Sequence, residues 1–158
     1  QAEELYRELR QEYEQRGQFD KAGYFFYREM NMRRKQLPLF SLKRILSKTV
    51  DLLCGYGEKP LRLIMFASVF IIGCALMYFI LGIESKSEII DLQAHIGIKE
   101  NIIHLLECIY FSIVTFTTLG YGDIVPIGAS RIIAAIEALV GTFTIALFLV
   151  VFVKRMTR

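Results

Sequence analysis

Residues 117–123 read Thr-Thr-Leu-Gly-Tyr-Gly-Asp and follow an apolar stretch, 102–116, that is too short to cross a bilayer. Glycines permit backbone angles that a helix does not use, so the helix predicted for 102–116 should end before Gly120. Non-helical backbone at membrane depth is tolerated only where protein or water surrounds it. The stretch therefore predicts a re-entrant loop, in which a half-membrane helix leads into a glycine-rich strand that leaves past Pro126.

Two longer apolar runs flank this segment. Residues 63–83 contain no charged residue, and residues 132–153 contain one, Glu137. At about 1.5 Å per helical residue, each run can cross the hydrocarbon core of a bilayer. With 54% apolar residues, 22% charged residues and a net charge of +3, the chain is unlike a soluble enzyme or a nucleic-acid binder. The composition predicts a membrane protein with two spans and no nucleic-acid partner.

The distribution of charge predicts the orientation of these spans. Residues 1–62 carry 13 basic and 9 acidic residues, and residues 154–158 carry three basic residues and no acid. The intervening residues 84–131 carry three basic and six acidic residues. Basic residues near a span remain in the cytoplasm, so both termini are predicted to be cytoplasmic and the middle segment extracellular. The expected location is the cell (plasma) membrane.

The TTLGYGD motif, placed between two spans and after an apolar half-helix, resembles the selectivity filter of the potassium channels that have two spans and one pore loop. Leu119 stands where that family usually has Val, at a position whose carbonyl rather than side chain meets the ion. The resemblance covers residues 61–154. It implies an all-α membrane protein that works as a homotetramer, because one chain supplies one of four loops.

The resemblance also implies the function, a potassium-selective channel that conducts passively, is gated by its inner helices and is not an enzyme. Four copies of the filter would replace the water around potassium with rings of backbone oxygens. The implied filter residues are Thr118, Leu119, Gly120, Tyr121 and Gly122, and the first four would bind potassium. No cofactor is expected besides these ions. Two alternatives are a glycine turn between core helices and a membrane-anchored binding module with a vestigial pore.

Residues behind the filter are expected to support it. The expected residues are Tyr110, Thr117 and Asp123, which stand near or in the motif that carries the resemblance, and Glu137. Tyr110 could donate a hydrogen bond to Asp123, with plain packing as the alternative. Glu137 is an acid within a span, which is a functional candidate by default. It is predicted to face the pore helix, with the hydroxyl of Ser112, Thr115 or Thr117 as partner, or else to reach the outer surface.

The inner helix carries the expected gating residues. Gly141 resembles the hinge glycine of the family. A face that recurs at intervals of three and four residues is predicted to line the water-filled cavity, and it consists of Thr142, Ile145, Leu149 and Val153.

The N-terminal part is predicted to be cytoplasmic. Its first segment should form a helical hairpin, with Gly17 ending the first helix and Asp20 capping the second. The spacing is similar to one tetratricopeptide repeat, with an unrelated hairpin as the alternative. Its aromatic residues must pack on something, such as a cytoplasmic partner protein. The next segment should form an amphipathic helix that either docks on the hairpin or meets anionic lipid through Lys43, Arg44 and Lys48.

The predicted segments follow one another along the chain. They are a cytoplasmic hairpin at 1–36, an amphipathic interfacial helix and linker at 37–59, an outer transmembrane helix at 60–83, an extracellular turret at 84–101, a pore helix at 102–117 with Asn101 as N-cap, the filter at 118–123, an inner transmembrane helix at 131–154 and a cytoplasmic end at 155–158. A second Gly-Tyr-Gly, at 55–57, lacks the threonine pair and is predicted to be a turn before a helix that starts at Pro60. The three cysteines are expected to be packing residues.

Overall fold

The computed structural model describes residues 2–38, 40–85, 88–90 and 98–156, without the side chains of 88, 89, 154 and 155. Parts of the predicted turret and cytoplasmic end therefore lie outside the described residues. The elements are α1 (Ala2–Gln15), α2 (Phe19–Gln36), α3 (Leu42–Cys54), α4 (Pro60–Leu81), β1 (Ile83–Ser85), β2 (Glu88–Ile90), α5 (Ile98–Phe116), β3 (Ile124–Pro126) and α6 (Ser130–Met156). They divide into two compact units, residues 1–64 with 148–158 and residues 65–147.

Two helices, α4 and α6, have the length and composition of membrane spans. Among the described residues, two helical segments are long and apolar enough to cross a membrane, Pro60–Leu81 and Ser130–Val153. Only 22% of the most apolar window of each is buried, so neither resembles the core helix of a soluble protein. Their bare apolar sides require lipid or other chains to cover them, as in a membrane-embedded protein.

The helix boundaries follow local chemistry, with some corrections to the predictions. α4 begins at Pro60 as predicted, but it ends at Leu81, because Gly82 adopts a φ of 84°. α5 begins at Ile98, so Asn101 lies inside the helix and its prediction as N-cap was wrong. The preceding Lys and Glu are good helix formers, which explains the earlier start.

Three short strands form an antiparallel sheet, in the order β2-β1-β3, that the sequence analysis did not predict. We call it the outer sheet. Ile83 pairs with Ile90 and with Pro126, and Ser85 pairs with Ile124. The buried isoleucines of the sheet belong to the core of the unit at 65–147, whose buried members are Cys74, Ala75, Tyr78, Ile83, Ile90, Cys108, Phe111 and Ile124. The fold is thus the expected helical membrane fold with one small sheet added.

α1 and α2 form the predicted helical hairpin. Gly17 adopts a φ of 70° in the connection. Asp20 is not the cap of α2, because that helix already begins at Phe19 after an N-cap at Gln18. The hairpin is held by a nearly buried Glu29, whose carboxylate lies 3.2 Å from Arg7 and 3.3 Å from Arg10. This is an ion-paired helical contact of the kind that a buried acid requires.

The Gly-Tyr-Gly at 55–57 forms a turn, as predicted. Gly55 adopts a left-handed φ of 55° and caps the C-terminus of α3. Tyr56 is buried, and its hydroxyl lies 2.7 Å from that of Ser47. The same three letters therefore have different structures at 55–57 and at 120–122, because their neighbours differ.

Candidate functional site

Residues 118–123, here called the glycine segment, have an alternating backbone. Thr118, Gly120 and Gly122 adopt φ values of 58°, 58° and 79°, whereas Leu119 and Tyr121 between them are not in the left-handed region. In an ordinary strand, successive side chains and carbonyls point to opposite sides. When every second residue instead has a positive φ, successive peptide carbonyls point toward the same side. The segment can therefore present a row of backbone oxygens along one side.

Thr118 has a conformation that its side chain disfavours. A β-branched residue with a positive φ is an outlier, and such strain costs about 1–3 kcal/mol. The Thr118 hydroxyl donates a 2.7 Å hydrogen bond to the carbonyl of Thr117. Strain of this kind persists where the surroundings determine the backbone, which is typical of functional sites. The strain weighs against a simple glycine turn between helices.

The last turn of α5 fixes the inner end of the glycine segment. The backbone N–H groups of Thr118 and Leu119 donate to the carbonyls of Thr115 and Val114, each at 3.0 Å. The Thr117 hydroxyl donates to the Ile113 carbonyl at 2.7 Å. The Thr117 side chain is therefore bonded to the last turn of α5.

Tyr110 and Asp123 hold the outer end of the segment. The Tyr110 hydroxyl donates to Asp123 Oδ2 at 2.8 Å, which is the pairing that the sequence analysis considered. This hydrogen bond is the main cause of the raised pKa of Tyr110. The residue that follows the two glycines is thereby fastened to the pore helix.

Within one chain, the glycine segment lies open. Leu119 is 59% exposed and Tyr121 is 66% exposed. An apolar, non-helical segment at membrane depth needs surrounding protein or a water-filled cavity. A single chain thus leaves this site incomplete.

Glu137 is completely buried and joins three helices. Its carboxylate accepts hydrogen bonds from Ser112 of α5 at 2.5 Å and from Tyr78 of α4 at 2.6 Å. Ser112 was among the predicted partners, but Thr115 and Thr117 were not found in this role. Tyr78 was missed, although a tyrosine inside an apolar span signals a hydroxyl in need of a partner.

Gly141 packs against the C-terminal end of α5. A β-carbon added at this position would lie 2.0 Å from the carbonyl oxygen of Phe116, closer than real contacts allow. α6 continues as a helix through this residue. Close approach of two backbones is therefore one reason for glycine here, and its predicted role as a hinge is untested.

The residues predicted to line the cavity share one side of α6, and each is exposed in a single chain. They are Thr142, Ile145, Leu149 and Val153. The hydroxyl of Thr142 donates to the Ala138 carbonyl at 2.9 Å. This side of the helix is available to line a cavity between copies.

The amphipathic helix α3 docks on the hairpin through its polar side. Asp51 accepts a 2.6 Å hydrogen bond from Arg34 of α2, and Arg44 donates to the carbonyl of Leu37 at 2.8 Å. The opposite side is apolar and bare, with Leu42 71% exposed and Leu52 73% exposed. A soluble helix would bury its apolar side instead.

Lys43 and Lys48 border the bare side of α3. At 100° per residue, they lie about 100° and 240° from Leu42. Arg44, at about 200°, lies on the docked side. The sequence analysis grouped Arg44 with the two lysines. Its guanidinium donates to the carbonyl of Leu37, and its contact with lipid stays a prediction.

Comparisons with known proteins agree with the membrane architecture. A family model described as "Ion channel" matches residues 65–158, more than half of the chain. Protein LctB of Bacillus caldotenax is 33% identical over 79 residues, which cover 50% of this chain and 58% of LctB. The chain thus spans less than two thirds of that relative. No solved structure gives a significant match. The resemblance of the hairpin to a tetratricopeptide repeat receives no support from these matches.

Proposed function

Because the chain belongs to the ion-channel family, we propose that it forms a potassium-selective channel. The observation that carries this proposal is the alternating φ of Thr118, Gly120 and Gly122 within the TTLGYGD motif. Such a backbone can offer its oxygens to a dehydrated cation along one side. The proposed potassium ligands are the carbonyls of Thr118, Leu119, Gly120 and Tyr121, with the Thr118 hydroxyl at the inner end.

The channel is proposed to be a homotetramer. Four glycine segments around one axis would give rings of four oxygens, and two rings would surround each ion. The exposed Leu119 and Tyr121 would then be covered by neighbouring copies and by their pore helices. Conduction through such a pore is passive, so the protein is proposed not to be an enzyme.

The proposed location is the cell membrane, with both termini in the cytoplasm. The excess of basic residues in 1–62 and 154–158 supports this orientation, as does the acidic excess of 84–131. Asp123 and the outer sheet would then lie at the extracellular mouth. The acidic residues of that side would raise the local concentration of cations.

Gating is proposed to act through the inner helices. Movement of α6 about Gly141 would change the width of the cavity lined by Thr142 and Ile145. The contact of Gly141 with Phe116 would carry such a movement to the glycine segment, since Thr118 follows Phe116 by only two residues. Glu137 would brace the segment from behind by holding Ser112 on the pore helix.

α3 is proposed to lie on the inner membrane surface. Its bare side would enter the boundary between headgroups and acyl chains, and Lys43 and Lys48 would meet anionic lipid. This placement accommodates the docking of the other side of α3 on the hairpin. A cytoplasmic partner of the hairpin remains a prediction.

Ion flux from liposomes tests the proposal. The purified chain should release potassium from liposomes, and Gly120→Ala should abolish most of this flux. Gly17→Ala is the matched control, because both glycines have a left-handed φ and open space around a β-carbon. Absence of flux from a folded, inserted protein would favour a membrane-anchored binding module.

A further inference from the structure

We propose that the outer sheet positions the glycine segment. The extracellular end of α4 would then determine how well ordered the backbone of the ion path is. β1 begins at Ile83, two residues after the end of α4, and β3 begins at Ile124, directly after Asp123. The pairing of β1 with β3 thus joins the outer helix to the exit of the glycine segment. Ile83, Ser85 and Ile124 are proposed as positioning residues.

The sheet is anchored by apolar burial. Ile83 and Ile124 are buried and belong to the same cluster as Tyr78 and Phe111. The rings of Tyr78 and Phe111 meet edge to face, with centroids 4.9 Å apart. A three-residue strand pair is weak by itself, so its stability must come from this packing.

Two polar contacts fasten the same region to the start of α6. Ser130 is fully buried, and its hydroxyl donates to the carbonyl of Gly82 at 2.7 Å. The Arg131 side chain donates to the carbonyl of Pro126 at 3.2 Å. The end of the β1–β3 pair at which Ile83 lies opposite Pro126 is therefore tied to the first turn of α6.

The glycine segment needs such an anchor. Its described backbone hydrogen bonds to α5 lie at its inner end, at Thr118 and Leu119. Gly120, Tyr121 and Gly122 are exposed, and alternating left-handed residues do not form a regular ladder. The order of the outer half therefore depends on what holds Asp123 and the residues after it. Tyr110 is one such contact and the outer sheet is the second.

Hydrogen exchange of the purified chain in nanodiscs tests the proposal. Ile83→Ala removes a buried side chain of β1, which does not belong to the glycine segment, and should speed exchange of residues 118–125 at least about threefold. Ile133→Ala is the control, because Ile133 packs against the same cluster from α6. It should affect residues 118–125 less than Ile83→Ala does.

A cross-link supplies the converse test. Glu84 and Val125 are directly opposite, with exposed or half-exposed side chains, so Glu84→Cys with Val125→Cys should form a disulfide on oxidation. Oxidation joins the two thiols and passes two electrons and two protons to the added oxidant, diamide. It should slow the exchange of residues 118–125 and restore it toward wild type in the Ile83→Ala background. The described cysteines, Cys54, Cys74 and Cys108, are buried and would not compete.

The outcomes are distinct. The proposal would be overturned if the disulfide did not form in the folded protein. It would also be overturned if neither Ile83→Ala nor oxidation changed the exchange of residues 118–125. The consequence for conduction rests on the proposed function, whereas the exchange does not. A chain that shows the expected exchange but no potassium flux would support the positioning role of the sheet and contradict the proposed channel function.

Discussion

Tyr78 of the outer helix donates a hydrogen bond of 2.6 Å to Glu137 of the inner helix, and neither residue has exposed surface. Ser112 of the pore helix donates to the other carboxylate oxygen. One side chain of α6 is therefore bonded to both α4 and α5. Leaving one of these buried polar groups without a hydrogen bond would lower stability by several kcal/mol. The network therefore favours the one packing of the three helices in which every partner is bonded.

The first prediction concerns this network. Glu137→Leu leaves the buried Tyr78 hydroxyl without its acceptor and should lower stability by about 1–3 kcal/mol. The Ser112 hydroxyl keeps an acceptor, because the carbonyl of Ile71 lies 2.9 Å away. Glu137→Gln keeps the shape and one acceptor oxygen, so its loss should be smaller. The measurement is thermal unfolding of the detergent-solubilised protein. Tyr78→Phe combined with Glu137→Gln should be non-additive by more than about 0.5 kcal/mol, and strict additivity would contradict the network.

The second prediction uses the two helical glycines of the spans. Gly141→Ala places a methyl group against the Phe116 carbonyl and should displace the end of α5, reducing both flux and thermal stability. Gly73→Ala meets nothing within 4 Å, and it should be neutral or stabilising by up to about 1 kcal/mol. Thermal unfolding and liposome flux of both variants decide the matter. Equal effects of the two substitutions would show that the close approach is unimportant.

The third prediction concerns selectivity. Tyr121→Asp places a charged, hydrated side chain in the glycine segment and should widen the ring of its carbonyls, so that sodium enters. Leu119→Val is the matched control, because it changes a side chain while keeping the carbonyl that is proposed to bind the ion. Permeability ratios from liposome flux in sodium and in potassium are the measurement. Unchanged discrimination in Tyr121→Asp would count against these residues as the selective ring.

The fourth prediction separates lipid contact from docking in α3. Replacing Lys43 and Lys48 with Gln should reduce activity in anionic liposomes more than in neutral ones, since each lysine contributes about 1 kcal/mol near an anionic surface. Arg44→Gln should instead lower activity equally in both lipids, because Arg44 bonds to Leu37. If the loss of activity depended on anionic lipid to a similar extent for all three positions, Arg44 would also contact lipid.

Local composition was sufficient to predict most helices. The uncharged run before Gly82 and the run around Glu137 are long enough to identify α4 and α6, and Pro60 marks the start of α4. The turn at Gly55 was predictable because a helix-capping glycine and the following proline are close in sequence. These features depend on neighbouring residues and not on tertiary contacts.

Tertiary contacts account for what the sequence did not reveal. The strands of the outer sheet have three residues each, too few for an alternating pattern, and β3 pairs with a segment about 40 residues earlier. The partnership of Tyr78 with Glu137 needs the packing of two spans, which the periodicity of one helix does not define. The hydrogen bond from Arg44 to the carbonyl of Leu37 is likewise a contact that charge alone does not predict.

The reversal potential of the purified chain in a planar bilayer, with potassium on one side and sodium on the other, tests potassium-selective conduction without any mutation. We predict currents that reverse close to the potassium equilibrium potential. Currents that reverse near zero, or a protein that is folded and inserted but passes no current, would contradict the proposal that residues 118–123 form a potassium filter.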